Sequence, residues 1–130
     1  MLFRSARDGA VRFLEEGGPV LGPLAHASYA RGFVTMQPGD TLVFYTDGIV
    51  EARGRGEDGR LEEYGVPRLV RVASDHRGRP AEAIVDAIFD SVREFTADCP
   101  PEDDRTVMVL RYPAREVESP TMAFPRPARR

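Results

Sequence analysis

Gly39-Asp40-Thr41-Leu42-Val43-Phe44-Tyr45-Thr46-Asp47-Gly48 is the stretch from which the rest of the chain is read. Pro38-Gly39-Asp40 is a turn signal, and Thr41 to Thr46 is a run of β-branched, aromatic and aliphatic residues without a polar face. That pattern predicts an inner strand covered on both sides. Asp47 falls where the strand leaves its sheet, and Gly48 permits a backbone turn that a residue with a Cβ would resist. The Asp47 carboxylate is therefore expected to project from the rim of the sheet.

A second acidic place occurs at Glu102-Asp103-Asp104-Arg105-Thr106, where the acids come directly before another strand apolar on both faces, Thr106 to Tyr112. The acids follow one strand and precede the other. If the two strands are antiparallel neighbours, Asp47 and the Asp103-Asp104 pair meet at one rim. Carboxylates that converge without basic partners repel one another, and a hard divalent cation, Mg²⁺ or Mn²⁺, relieves the repulsion. The same residues also suit two separate turn caps, and spacing alone leaves both readings open.

At 130 residues and 42% hydrophobic content the chain is one domain with a modest core. No apolar run approaches the roughly 20 residues of a membrane helix, and the N-terminus lacks a signal-peptide core, so the default location is cytoplasmic with no membrane partner. Cys99 is the single cysteine, which excludes an internal disulfide framework and a cysteine-based zinc site. A net charge of −3 gives no case for nucleic-acid binding. All 18 basic residues are arginine, so chemistry that needs a lysine, such as a Schiff base, a P-loop or a receiver-domain phosphorylation site, is excluded.

Leu2 to Leu14, with Asp8-Gly9 at its centre, reads as a β-hairpin. It starts at Met1 without a tail, so sheet partners upstream of this chain are expected. Gly17, Gly18 and Gly22 lack phosphate-loop spacing and are read as places of close backbone packing. Tyr29 to Met36 is predicted as a strand. Ile49 to Ala52 runs into Arg53 to Arg60, which reads as a mobile, glycine-rich surface flap, and Pro67 to Asp75 reads as a short helix with His76 after its end. The strongest helix signal runs from Pro80 to about Ala97, where Ile84, Ile88, Val92 and Phe95 form a stripe broadened by Val85 and Phe89.

The opposite side of that helix carries Glu82, Asp86, Asp90 and Glu94. Like charges four residues apart cost about 0.2 to 0.5 kcal/mol per pair, whereas each buried side chain of the stripe contributes about 1.5 to 3 kcal/mol. Burial wins, and the acidic stripe reads as a solvated face. From Pro113 the pattern dissolves into a Pro- and Arg-containing tail, 113–130, expected to be disordered. That tail holds four arginines and two glutamates, so the rest of the chain carries a net charge of −5.

Together these pieces resemble the PPM-type metal-dependent serine/threonine phosphatases, in their bacterial SpoIIE/RsbU branch. The resemblance runs through Gly17-Gly18-x-x-Leu21-Gly22, Pro38-Gly39-Asp40, Tyr45-Thr46-Asp47-Gly48 with Glu51-Ala52, Tyr64-Gly65, the helix after Pro80, and Asp103-Asp104-Arg105-Thr106. It implies an α+β fold, part of an α/β/β/α sandwich of two antiparallel sheets flanked by helices, spanning residues 1–112. It further implies two Mn²⁺ or Mg²⁺ ions that activate a water for direct attack on phosphoserine or phosphothreonine, without a phosphoenzyme. Asp47 and Asp103 then stand as metal ligands, Asp104 as a ligand or as the residue that supports one, and Gly48, Thr46 and Thr106 as supporting positions. The partner so implied is a phosphorylated regulatory protein such as an anti-sigma-factor antagonist.

One departure stands against the match. The family's first half supplies an acidic residue that bridges both metals within Gly-Asp-x-x-Gly-x-Gly, and no such stretch exists here. The chain accordingly resembles the C-terminal half of the domain, and its site is expected to be catalytically poor unless completed by another piece or across a dimer. The alternative is a non-catalytic interaction module that binds the same partners. A haloacid-dehalogenase-like nucleophile would need an aspartate where Tyr45 stands.

Overall fold

The structure is a computed structural model that describes residues 1–19, 22–56, 59–97, 99 and 103–114. The elements run in the order β1 (Leu2–Ser5), β2 (Val11–Phe13), β3 (Thr41–Tyr45), α1 (Asp47–Val50), β4 (Arg53–Arg55), β5 (Leu61–Glu63), α2 (Gly65–Asp75), α3 (Ala81–Phe95) and β6 (Val107–Arg111). Four strands form one antiparallel sheet in the order β2-β1-β3-β6, so β3 is an inner strand as its apolar run predicts. Its register with β6 pairs Tyr45 with Val107 and Thr41 with Arg111. The end of β3 therefore lies beside the start of β6.

Alternation along the strands sends Phe3, Val43, Tyr45, Val107 and Val109 toward α2 and α3. There they meet Leu69 and Ala73 of α2 and Ile84, Ile88 and Val92 of α3, all buried. These α3 residues are the stripe read from the sequence, and both helices match their predicted spans to within two residues at each end. His76 follows α2, as expected, with its Nδ1 2.9 Å from the Val72 carbonyl oxygen.

The other face of the sheet carries Leu2, Leu42, Phe44, Met108 and Leu110. Leu14, Glu16 and residues 32–34 border a cavity on this face together with Leu2, Leu42 and Phe44, and Leu42 is buried. Met108 and Leu110 are 53% and 51% exposed. The expectation that β6 is covered on both faces is therefore not met among the described residues: β6 lies at the edge of the sheet with nothing packed on its outer face. The arrangement is a four-stranded antiparallel sheet with one helical layer, beside the separate two-stranded sheet β4-β5.

Three further expectations are corrected. Tyr29 to Met36 forms no strand; it makes no ladder with β2, and Phe33 is 90% exposed. The flap expected over Arg53 to Arg60 is not loose from its start: Arg53–Arg55 is strand β4, paired with β5 Arg53 to Glu63 and Arg55 to Leu61. It is anchored because Gly54 lies against Phe95, where a Cβ would fall 2.7 Å from Cδ1 of the ring. Arg68 of α2 stacks over the same ring at 4.6 Å and donates to the Tyr64 carbonyl at 2.9 Å, which ties the hairpin's end to both helices. The third is Ile49 to Ala52, expected to run directly into a loop; its first residues belong to the helical turn α1 instead.

Of the glycine-rich stretch, Gly18 packs closely on Ser28 and Tyr29, whereas Gly17 and Gly22 have nothing within 4 Å of where a Cβ would stand. Leu21, Glu57, Asp58, Glu102 and the tail beyond residue 114 lie outside the described residues.

Candidate metal centre

Thr46 ends β3 and caps α1, so Asp47 occupies the first position of a helical turn at the sheet's rim, exposed. The facing segment, Asp103 to Thr106, leads into β6. Thr46 joins the two: its amide donates to the Thr106 carbonyl at 3.2 Å, and its hydroxyl accepts from the Thr106 amide at 3.0 Å and donates to the Asp104 carbonyl at 3.3 Å. Asp103 folds back on its own turn, its Oδ1 accepting from the Asp104 amide at 2.7 Å. Three of the sequence-selected positions, Thr46, Thr106 and Gly48, thus do the joining.

Gly48 acts differently from the expectation. Its φ is not in the left-handed region, so no turn there demands glycine. The requirement is space: a Cβ would press into the Asp104 carbonyl oxygen and stand 3.0 Å from its carbon. Backbone, not a flexible side chain, blocks it. Gly48→Ala is expected to push the Asp103-Asp104 turn off the rim and to cost about 1 to 3 kcal/mol in stability, the usual range for overpacking. Chemical denaturation measures this, and an unchanged midpoint would contradict the close approach.

Asp47 also acts on Tyr45. Burial, and secondarily the negative charge of Asp47, raise the Tyr45 phenol above its ordinary 10.0, so it remains a neutral hydroxyl at the rim. Among the described residues none of Asp47, Asp103 and Asp104 takes part in an ion pair. The donors are carboxylate oxygens exposed to solvent, the chemistry that suits a hard divalent cation. Their number is insufficient: among the described residues no three His, Cys, Asp or Glu side chains are grouped to hold a metal ion. The donor type fits and the set is incomplete.

The sequence profile of the family described as Stage II sporulation protein E (SpoIIE) matches residues 1–113. The chain belongs to the SpoIIE family. It is 32% identical over 109 residues to the phosphoserine phosphatase RsbU of Bacillus subtilis, a match that covers 84% of this chain and 31% of that protein. Two solved structures share the fold. The SiaA-PP2C domain of Pseudomonas aeruginosa aligns with a TM-score of 0.66 at 24% identity, over 85% of this chain and 42% of the domain. The phosphatase domain of SpoIIE from Bacillus subtilis aligns at 0.56 and 20% identity, over 86% and 47%.

This SpoIIE-family chain therefore has the α+β PPM phosphatase fold while spanning less than half of each solved domain. The exposed Met108 and Leu110 lie on the sheet face that carries Leu42 and Phe44, opposite the face packed on α2 and α3. No described helix is long and apolar enough to cross a membrane. Sequence reading missed α1, which sets Asp47 on a helical turn. Its signal, Ile49 and Val50 both apolar after Asp47-Gly48, is too short to separate from a strand end.

Proposed function

We propose that this chain contributes one part of a metal-dependent protein serine/threonine phosphatase acting on a phosphorylated regulatory protein, such as an anti-sigma-factor antagonist. The supporting observation is the seating of the Asp103-Asp104 turn against Gly48 under the Thr46 clamp, which sets the elements bearing Asp47 and Asp103 side by side. The name of RsbU, a phosphoserine phosphatase, favours phosphoserine as the substrate class.

In this reading Asp47 and Asp103 hold Mn²⁺ or Mg²⁺, and Asp104 supports the turn that presents Asp103. Such an ion, when bound, supplies Lewis-acid polarisation and a more acidic water. The chain's own part is positional: Thr46 holds the two elements at a fixed separation, and Tyr45 keeps an uncharged hydroxyl beside them. The remaining acidic ligands come from a complementary part of the domain seated on the apolar face of Met108 and Leu110.

The test is release of phosphate from a phosphoserine peptide by residues 1–130 alone and by the chain joined to its complementary part, with Mn²⁺ and with EDTA. Release is expected only with Mn²⁺ and chiefly from the completed protein. Equal release in EDTA would overturn the metal reading. A completed protein that binds the phosphopeptide without hydrolysing it would favour the interaction-module reading.

A further inference from the structure

Beside the carboxylate rim opens a cavity of about 60 Å³ lined by Gly48, Glu51, Ala52, Arg53, Asp103 and Arg105. It lies where the end of α1, the start of β4 and the turn before β6 meet. Arg105 is partly buried, and its Nε has no hydrogen-bond partner among the described residues. Neither carboxylate lining the cavity takes this donor. A buried charged donor without an acceptor is costly, and a shift of the Arg105 side chain, which itself lines the cavity, toward an acceptor supplied from outside would relieve that cost. Arg77 and Arg111 also carry an unpartnered Nε, but neither lines the rim cavity.

Resting on the phosphatase reading above, we propose that Arg105 binds the phosphoryl group of the substrate, with Arg53 of the same cavity as a second cation. A guanidinium presents two parallel N–H groups that match two phosphate oxygens, and it stays charged at every working pH. A rim built from carboxylates alone repels a phosphate dianion. Arg105 follows directly on Asp103-Asp104, so the turn that presents a carboxylate for metal also presents a cation for the phosphoryl oxygens. Asp103 and Arg105 sit two positions apart on one turn, and the two charges they would serve, cation and phosphate, meet during hydrolysis.

The test is a titration of inorganic phosphate into the whole chain with Mg²⁺ present, followed by nitrogen-15 NMR of arginine Nε–H groups and backbone amides. The wild type is compared with Arg105→Lys and Arg105→Gln. One Nε–H signal, missing from both variants, is expected to move saturably, together with the Gly48 and Ala52 amides. Arg105→Gln is expected to weaken the phosphate affinity by about tenfold or more, and Arg105→Lys by less.

An Arg105 signal that stays still through the titration overturns the proposal, as do Gly48 and Ala52 shifts that keep the same half-saturation in Arg105→Gln. If Arg105→Gln does not fold, the wild-type Nε–H signal decides alone. Since the titration needs no turnover, an unmoved Arg105 beside intact Mn²⁺-dependent hydrolysis removes this assignment and leaves the phosphatase reading standing. Phosphate binding at Arg105 in a completed protein that never hydrolyses would do the reverse.

Discussion

Asp47→Ala, made in the protein completed with its complementary part, is expected to lower Mn²⁺-dependent phosphate release by about a thousandfold or more, roughly 4 kcal/mol of transition-state stabilisation. The carboxylate is exposed in the first turn of α1, so its removal changes stability by less than about 1 kcal/mol. A fall in activity with an unchanged unfolding midpoint therefore reports on the site and not on the fold. Asp47→Asn keeps an oxygen donor without the charge and should be partly rescued by a higher Mn²⁺ concentration. Tyr45 supplies an internal check: with the neighbouring negative charge gone, its phenol should ionise at a lower pH than in the wild type, though burial still raises it. Wild-type activity in Asp47→Ala would end the metal assignment.

The largest effect on stability is expected at Asp40, at the opposite end of β3. Asp40 is 1% exposed; its carboxylate accepts from the Arg7 amide at 3.1 Å and the Gln37 amide at 2.8 Å and pairs with Arg4 Nε at 3.1 Å. Arg4 is 24% exposed, so solvent screens part of that pair. The two backbone amides have no such relief. Asp40→Ala leaves three donors facing an apolar side chain and should cost about 3 kcal/mol, seen as a lower denaturation midpoint with an unchanged slope. A cost below about 1 kcal/mol would mean that water replaces the carboxylate there, contrary to its burial.

Asp40 also shows how a turn signal understates a residue. Pro38-Gly39-Asp40 marks a turn, and a turn is present, but nothing local announces that Asp40 will collect donors from Arg4, Arg7 and Gln37. Arg4 lies on β1 and Arg7 in the β1-β2 hairpin turn, so the cluster exists only once β1 has paired with β3. Gly48 has the same lesson. Its place after Asp47 was legible, but its reason was not: the collision partner is the Asp104 backbone, far along the chain.

Periodicity by itself determined α2 and α3, because a helix buries one stripe and the stripe is written at intervals of three and four residues. It also determined β3 and β6, whose apolar runs are bounded by turns and acids. The antiparallel adjacency of those two strands, on which the candidate site depends, was only a condition at the level of sequence, and the β3-β6 ladder meets it. Asp47, Asp103 and Asp104 with Thr46, Gly48 and Thr106 were all legible as motif positions, and their role as a metal site stays a proposal.

Tertiary structure decided the rest. Residues 53–55 and 61–63 flank too many glycines and charges to read as strands, yet they pair because Gly54 can lie on Phe95 and Arg68 covers that ring. Tyr29 to Met36 has strand composition and no strand to pair with, and a strand needs a neighbour as a helix does not. Whether an apolar strand is covered on both faces depends on what else reaches the sheet. For Met108 and Leu110 nothing among the described residues does.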